Sequence, residues 1–328
     1  MIVDSHAHLV PASLLAAVRK EQARFPSLHV IEESGSLAFA FASGKATRPV
    51  SKPLSDVAAR IAWMDQHGID RQVVGGWVDM FGYELPAQEG EAWSRLINDA
   101  LSAAARAEPR FVPLATVPLQ DGARAATVLK AAIDAGMPGA MIGTLPRGVG
   151  SVLDRADLDP FWAAADETGA VVHIHPSFDA GDVRVNDYGL ANAVGRITDA
   201  MVAVARLVST GHVTRYRNAR IVVPMGAAGL PFLLGRLTRN HQVTPGTGDP
   251  VEAIARLYTD TIVHDERALQ FVIRMLGPDR LMMGSDSPFP IGDPEPLRIV
   301  AAAGLTGEQA AAVNGGLAAR LFRLSARP

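Results

Sequence analysis

Short apolar runs rich in valine and isoleucine alternate along this chain with longer, alanine-rich segments whose apolar residues recur at helical spacing. This alternation is typical of repeated βα units that bury a parallel sheet. We predict strands at residues 2–8, 71–76, 111–117, 139–143, 170–175, 219–224, 257–261 and 281–284. We predict helices at residues 53–67, 91–107, 122–136, 159–169 and 265–276. Eight strands in βα alternation predict an α/β fold of the (β/α)8 TIM-like barrel type.

Two segments are too long to be simple connections between a strand and its helix. Residues 11–52 follow the first predicted strand, and residues 178–211 follow the fifth. On a barrel, both would begin at the carboxyl ends of strands, where the active sites of such barrels form. We therefore predict one barrel domain over residues 1–328 in which these insertions cap the mouth. The alternative for each is a surface excursion or a contact between subunits.

Three of the predicted strands end in side chains that bind metals. The first ends in His6 and His8, the fifth in His173 and His175, and the last in Asp286. Alternate residues of a strand point to the same face, so each histidine pair projects two imidazoles in one direction. Imidazole together with carboxylate suits a divalent metal of borderline softness. A single pair of this kind is often structural, but its repetition favours a metal site.

Composition narrows the class of partner. The formal net charge is −3, so no basic field would attract nucleic acid or an anionic membrane, and a small molecule is the expected partner. The chain has no cysteine, which excludes disulfides and thiolate ligands. No stretch approaches the length of a membrane-spanning segment, and no secretion signal is recognisable. We therefore expect a cytoplasmic protein.

Several motifs resemble a known family. They are Asp-Ser-His-Ala-His at 4–8, Met-Asp-Gln-His-Gly-Ile-Asp at 64–70, His-Pro at 175–176, the segments 220–224 and 229–231, and Gly-Ser-Asp-Ser-Pro-Phe at 284–289. In order and spacing they resemble the amidohydrolase-related (amidohydrolase 2) branch of the metal-dependent hydrolases. Within that branch, the aminocarboxymuconate-semialdehyde and resorcylate types of decarboxylase are the most similar. The matches extend over nearly the whole chain.

The resemblance implies a ligand set. His6, His8, His175 and Asp286 are expected to hold one divalent metal, zinc by preference and manganese as the alternative. His175 is preferred to His173 because the family's ligand immediately precedes a proline. We expect His173 to be a hydrogen-bonded core residue one layer deeper. The resemblance also implies a homodimer.

One position departs from the family. Where the family has a catalytic histidine followed by glycines, after the sixth strand, this chain has Met225. A thioether can neither accept a proton at neutral pH nor form a strong hydrogen bond. Hydrolysis needs a group that moves the proton of a metal-bound water, so the loss of the imidazole weakens that activity.

Three functions therefore remain. The favoured one is nonoxidative decarboxylation of a hydroxylated aromatic or heteroaromatic carboxylic acid. In it the metal binds the substrate oxygens, and Asp286 protonates the ring carbon before carbon dioxide leaves. The second is a hydrolase or hydratase that acts on a lactone, a cyclic amide or a ring-cleavage product. The third is a catalytically weakened relative that binds a small acid.

The residues that recognise the substrate are less clear from the sequence. An acid substrate suggests an arginine at the mouth. Arg48, in the first insertion, is our first choice, and the other candidates are Arg184, Arg236 and Arg239. Other candidate pocket residues are Phe178, Met225, His264, Trp77 and Phe81. For Trp77 the alternative of plain hydrophobic packing is preferred, and for His264 a structural role.

Overall fold

The computed structural model describes residues 1–42, 44–177 and 182–325, and shows a mixed α/β protein. Within these residues the strands are β1 Val3–His8, β2 Leu28–Glu33, β3 Ser36–Phe41, β4 Arg71–Gly75, β5 Phe111–Pro113, β6 Gly139–Gly143, β7 Val171–His175, β8 Arg220–Val222, β9 Thr259–Asp260 and β10 Leu281–Met282. Each of the eight predicted strands contains one of these strands. The two that were not predicted are β2 and β3.

The right-handed α-helices of the described residues are Ala12–Glu21, Lys52–Ser55, Val57–Gln66, Ala87–Ala107, Gly122–Asp134, Asp159–Thr168, Arg196–Ser209, His212–Arg215, Leu230–Val243, Pro250–Ile254, Glu266–Leu276, Pro296–Ala302, Gly307–Ala311 and Leu317–Leu321. The short helical segment Pro224–Ala228 contains left-handed residues. The 3-10 helices are Gln22–Arg24, Val78–Met80, Ala156–Leu158, Val183–Val185 and Pro278–Arg280, and the π-helices are Ala191–Gly195 and Ala312–Gly316. The predicted helix 53–67 is interrupted at Asp56, whose carboxylate accepts a hydrogen bond from the backbone N–H of Ala59 and caps the second half. Among the residues that the structure describes, no helix is both long and apolar enough to cross a bilayer.

The parallel strands are neighbours in chain order. Strand β4 pairs with β1 and β5, β7 pairs with β6 and β8, and β9 pairs with β10. Single bridges connect these groups, joining Ala115 to Ala140, Val222 to Tyr258 and Ala7 to Ser287. The carboxyl ends of the strands, where the histidines stand, therefore lie at the same end of the sheet.

Strands β1, β6 and β7 are buried along their whole length, as expected of parallel strands covered on both faces. The approach of β6 to β7 requires a glycine. A Cβ atom at Gly139 would lie 1.9 Å from the carbonyl oxygen of Val171. Large side chains then fill the space between helices and strands, and Trp93 and Trp162 are fully buried there.

The first insertion contains an antiparallel hairpin of β2 and β3, for which our sequence analysis gave no prediction. Leu28 pairs with Phe41 and Glu33 with Ser36, across a turn whose residues Ser34 and Gly35 have φ of 49° and 80°. Two left-handed residues are what a tight hairpin turn requires. The Ser-Gly pair between alternating apolar residues was the available signal.

The second insertion also contains regular structure. Its carboxyl-terminal part includes the helix Arg196–Ser209, whose buried side includes Ala200, Val204 and Leu207. This helix lies between β7 and β8 in the chain and is the helix of that βα unit. The irregular connection after β7 is therefore shorter than the sequence analysis expected.

Candidate metal centre

Four side chains with metal-binding atoms meet at the carboxyl ends of three strands. His6 and His8 belong to β1, His175 is the last residue of β7, and Asp286 lies four residues after β10. All four residues are buried, and one potential ligand atom from each lies within 4.8 Å of the others. The sequence analysis selected these four residues, and the fold brings them together.

Each histidine of the group has its Nδ1 atom close to an oxygen of the protein. His6 Nδ1 lies 2.8 Å from Asp260 Oδ2, His8 Nδ1 lies 3.1 Å from the carbonyl oxygen of Gly76, and His175 Nδ1 lies 2.8 Å from that of Pro176. A ring whose Nδ1–H donates to such an oxygen keeps the lone pair of Nε2 available. A metal-binding histidine usually donates its other ring N–H to a carboxylate or carbonyl oxygen in this way.

Asp286 supplies the oxygen of the group. Its Oδ1 lies 3.1 Å from His8 Nε2 and 3.6 Å from His6 Nε2. Its backbone is left-handed, with φ of 57°, and its N–H donates to the carbonyl oxygen of His6 at 2.8 Å. That hydrogen bond holds the carboxylate over β1. Within the described chain, the buried His6 Nε2 has no hydrogen-bond partner.

The charge states suit a cation. Burial lowers the pKa of His8 and, further, that of His175, so both rings are neutral near pH 7. Burial also acts to lower the pKa of His6, but the hydrogen bond to Asp260 and the charge of Asp286 raise it on balance. For Asp286, burial raises the pKa, but the contact with His8, and then the interaction with His6, leave it below its ordinary value. Three imidazoles and one carboxylate, with His6 Nε2 unsatisfied, fit a divalent metal.

His173 corrects one expectation. It is fully buried beneath the ligand group, as predicted, and its ring lies edge-on to that of His6 with centroids 4.5 Å apart. However, neither of its ring nitrogens has a hydrogen-bond partner in the part of the chain that the structure describes. The expectation of a hydrogen-bonded core residue was therefore wrong, because the ring of His6 packs beside it.

A buried polar network that the sequence analysis missed supports the ligands from below. Asp4 accepts hydrogen bonds from the backbone N–H of Ser285, at 2.9 Å, and from Gln72 Nε2, at 2.8 Å. Arg60 in turn donates to Gln72 Oε1 and to the carbonyl oxygen of His8, at 2.8 and 3.0 Å. Burial lowers the pKa of Arg60 to about 10, so it stays charged. The network connects β1 and β4 to the residue before Asp286.

A cavity of about 260 Å³ opens above the metal ligands. Its walls are apolar at Ile262 and Ile291, and Met225, His264 and Arg196 also line it. Met225 belongs to a turn of left-handed residues that ends at Gly229, and its backbone N–H donates to Asp260 Oδ1 at 2.7 Å. The cavity has the size and polarity of a site for one small ring.

Arg196 is a charged residue of the cavity that the sequence analysis did not find. It begins the helix Arg196–Ser209, and its charge acts on Asp286, Asp79 and His175. Burial lowers its pKa, while Asp79 and Asp286 act to raise it. An arginine among many in a helical pattern carries no local signal, so only the fold identifies it.

Arg48 lies in a neighbouring cavity, not among the residues that line the one above the ligands. Its Nη2 donates to Asp79 at 3.2 Å, and its guanidinium lies over the ring of Trp77. Burial raises the pKa of Asp79, and the charge of Arg48 opposes that shift. Trp77 and Phe81 are both buried.

The remaining candidates lie elsewhere. Arg184 is exposed and paired with Asp182, and Arg236 and Arg239 are exposed on the helix Leu230–Val243. His264 lies at the rim of the cavity, exposed, with φ of 56°. Phe178 lies outside the described residues.

This chain is similar in sequence and in fold to known proteins. A 2-amino-3-carboxymuconate-6-semialdehyde decarboxylase from Dictyostelium discoideum is 27% identical over 307 residues, covering 91% of this chain and 84% of the relative. The solved 5-carboxyvanillate decarboxylase from Sphingomonas paucimobilis superposes with a TM-score of 0.80 at 22% identity, over 99% of both chains.

A second solved structure contains a metal. It is a 5-carboxyvanillate decarboxylase from Novosphingobium aromaticivorans with bound manganese, with a TM-score of 0.80, 20% identity and coverage of 99% of this chain and 97% of that one. At such identities the two structures establish similarity of fold alone. The amidohydrolase family model matches residues 3–324, so this chain is a member of the amidohydrolase family.

Proposed function

We propose that this chain is a metal-dependent nonoxidative decarboxylase of a hydroxylated aromatic or heteroaromatic carboxylic acid. One observation carries the proposal. The cavity that contains His6, His175 and Asp286 has mostly apolar walls, to which Arg196, Asn192 and His264 add polar groups. Met225 stands in it where the family has a catalytic histidine. The decarboxylase named above, 27% identical over most of its length, supports the same class of reaction.

His6, His8, His175 and Asp286 would hold the metal, and when bound it supplies a Lewis acid for the hydroxyl and carboxylate oxygens of the substrate. We propose zinc as this metal, with manganese as the alternative, because both accept imidazole together with carboxylate. Around it, the chain's own residues bind and orient the ring. Ile262 and Ile291 pack against its faces, and Arg196 pairs with an acidic group of the substrate.

Asp286 is proposed as the group that transfers the proton to the ring carbon. The pKa of Asp286 lies below its ordinary value in the free chain, and we expect it to rise when the oxygens of the bound substrate neutralise the charge of the metal, so that Asp286 can hold the proton. Asp286 borders the cavity, lies against His8 and is only 8% exposed, so this proton would exchange slowly with bulk water. The ring carbon takes this proton, the carbon–carbon bond to the carboxylate breaks, and its electron pair restores the ring as carbon dioxide leaves. Met225 can act neither as an acid nor as a base, and the proposed reaction needs no such group at that position.

We further propose that the paired strands and the single bridges between them close one (β/α)8 barrel domain over residues 1–328, with the two insertions over its mouth. The single bridges between the paired strands support this closure.

We also propose a homodimer. Phe232 on the helix Leu230–Val243 is 80% exposed, and Val202 on the helix Arg196–Ser209 is 56% exposed. Large apolar side chains that are this exposed favour a surface that a second subunit covers.

The first experiment measures metal content per chain by elemental analysis, followed by release of carbon dioxide from a panel of hydroxylated aromatic acids. We expect about one divalent metal per chain in wild type and a loss of that metal in His175→Ala. The matched control is His241→Ala, because His241 contacts Thr247 far from the ligands. Equal metal content in all three proteins would refute the ligand assignment.

The role of Asp286 is tested by Asp286→Asn, with metal content measured on the same sample. Removal of a positioned general acid typically lowers turnover by about 10²- to 10⁴-fold. We expect a loss of this size in molecules that still contain metal, whereas Asp65→Asn, at an exposed surface carboxylate, should retain wild-type turnover. Full turnover by metal-loaded Asp286→Asn would show that another group delivers the proton.

A further inference from the structure

Four arginines line one small cleft at the opposite end of the strands from the metal ligands. Arg217 and Arg220 lie at the start of β8, Arg256 precedes β9, and Arg280 precedes β10. The cleft has a volume of about 100 Å³, and the rest of its wall is formed by Val213, Ala219, Ile221 and Tyr258. Its size suits a single oxyanion group and not an aromatic ring.

Contacts with the protein hold these guanidinium groups in place. Arg220 Nη1 donates to the carbonyl oxygen of Leu321 at 3.0 Å, and Arg256 Nη2 donates to that of Arg217 at 2.7 Å. The guanidinium of Arg280 lies 4.9 Å from the centre of the Tyr258 ring. Because the side chains are already ordered, an anion that binds here would lose little free energy in arranging them.

Most of the donor capacity of the cleft is not used by the protein. A guanidinium has five N–H donors. The hydrogen bonds within the described residues use two donors of Arg217, to Thr214 and Glu252, and one each of Arg220 and Arg256. The contact of Arg280 with the Tyr258 ring uses none. In residues 1–42, 44–177 and 182–325, the carboxylates paired with the four arginines are Glu252, 2.9 Å from Arg217, and Asp279, 3.9 Å from Arg280. Four cations therefore share two carboxylates, and Asp279 is itself 74% exposed.

We propose that this cleft binds a phosphate group. A tetrahedral oxyanion presents several acceptor oxygens to converging guanidinium forks, which is the recognition for which arginine is best suited. Its charge balances the cations that the two carboxylates leave uncompensated. The source of the group is either free inorganic phosphate or a phosphomonoester whose remaining part projects into solvent. This site is independent of the proposed decarboxylation.

The test is isothermal titration of the metal-loaded wild-type protein with inorganic phosphate, at an ionic strength held constant with chloride. We expect saturable binding with one phosphate per chain. In Arg220→Gln/Arg256→Gln the dissociation constant should rise at least about tenfold, since two of the four cations are lost. The control Arg24→Gln/Arg298→Gln removes the same charge from two exposed arginines and should bind as wild type does.

Titrations with other anions and with a metal-site variant distinguish the two sources of the phosphate group and test for binding elsewhere. Phenyl phosphate that binds at least as tightly as phosphate identifies a phosphomonoester, and binding of phosphate alone identifies the free anion. Equal binding by the cleft variant and wild type, loss of binding in His175→Ala instead, or equal binding of acetate would each overturn the proposal. If the double variant does not fold, Arg256→Gln alone, at a half-buried residue, serves the same comparison.

Discussion

At the scale of single residues, the site depends on which ring nitrogen of each histidine faces an oxygen of the protein and which is left to bind a metal. The three Nδ1 atoms face protein oxygens, and one of those oxygens belongs to the buried carboxylate of Asp260. Asp260 also accepts hydrogen bonds from the backbone N–H groups of Met225 and Ile262. One carboxylate thus fixes both the ring of His6 and the turn that lines the cavity.

Asp260→Asn tests this positioning role. The amide keeps the shape of the carboxylate but removes the charge that orients His6, so we expect metal affinity to fall by about 10- to 100-fold. The measurement is competition with a chromophoric chelator at fixed pH. Glu295→Gln, at an exposed surface carboxylate, is the control. An unchanged metal affinity in Asp260→Asn would mean that the histidine is held by packing alone.

His212 makes stability depend on pH outside the metal site. Its side chain is only 5% exposed, Nδ1 lies 2.9 Å from Thr210 Oγ1, and the ring packs against Trp162 and Tyr216. Burial, and then the charge of Arg215, lower its pKa, while Asp159 acts in the opposite direction. The folded chain therefore takes up this proton less readily than the unfolded chain.

The sign of the effect follows from linkage. Because the pKa is lowered on folding, stability is constant well above the unfolded pKa of about 6.5 and is lost as the pH falls below it. In His212→Gln, the decrease in the free energy of unfolding that His212 causes at low pH should disappear. Urea unfolding midpoints between pH 5 and pH 8 measure it. A steeper fall in the variant than in wild type would contradict the assigned direction.

At the scale of elements, the apolar runs located the parallel strands well because buried strands need continuous apolar residues. The hairpin of β2 and β3 was missed because its alternating pattern lies inside a segment with several small and polar residues. The helix Arg196–Ser209 was assigned to an insertion because its start has no N-cap side chain, and a π-helix precedes it directly. Such irregular starts lack the usual sequence signal.

A pair of glycine substitutions tests the packing of the elements. Gly139→Ala would place its Cβ against the backbone of Val171, and we expect it to destabilise the fold by about 3 kcal/mol or more, or to prevent folding. Gly235→Ala, in the helix Leu230–Val243, meets no atom within 4 Å and should stabilise by about 0.5–1 kcal/mol. Denaturant unfolding measures both. A tolerated Gly139→Ala would show that β6 and β7 can separate.

At the scale of the whole molecule, the fold collects three strand ends that are far apart in sequence into one site. Asp286 and His6 are 280 residues apart in the chain, yet 3.6 Å separates a carboxylate oxygen of one from the ring nitrogen of the other. The network of Asp4, Gln72 and Arg60 binds the same strands together beneath the ligands. The metal site is thus a property of the complete chain and not of any one βα unit.

The proposed homodimer is also a property of the whole molecule. We expect sedimentation velocity to give twice the chain mass for wild type and a shift toward monomer for Phe232→Glu, because a charge would replace an exposed aromatic ring. Val183→Glu, at another exposed apolar residue, is the control. A monomeric wild type at micromolar concentration would exclude the dimer.

The sequence alone located the eight parallel strands and several of the helices between them, and with the family resemblance it selected the four residues that meet at the candidate metal centre. It could do so because buried strands, helix periods and His-x-His strand ends are local patterns. Only the tertiary structure decided which cation, Arg196, borders the cavity, which carboxylate orients His6, and which arginines meet in the opposite cleft. These depend on contacts between residues far apart in the chain, and a side chain there carries no local pattern that marks its partner.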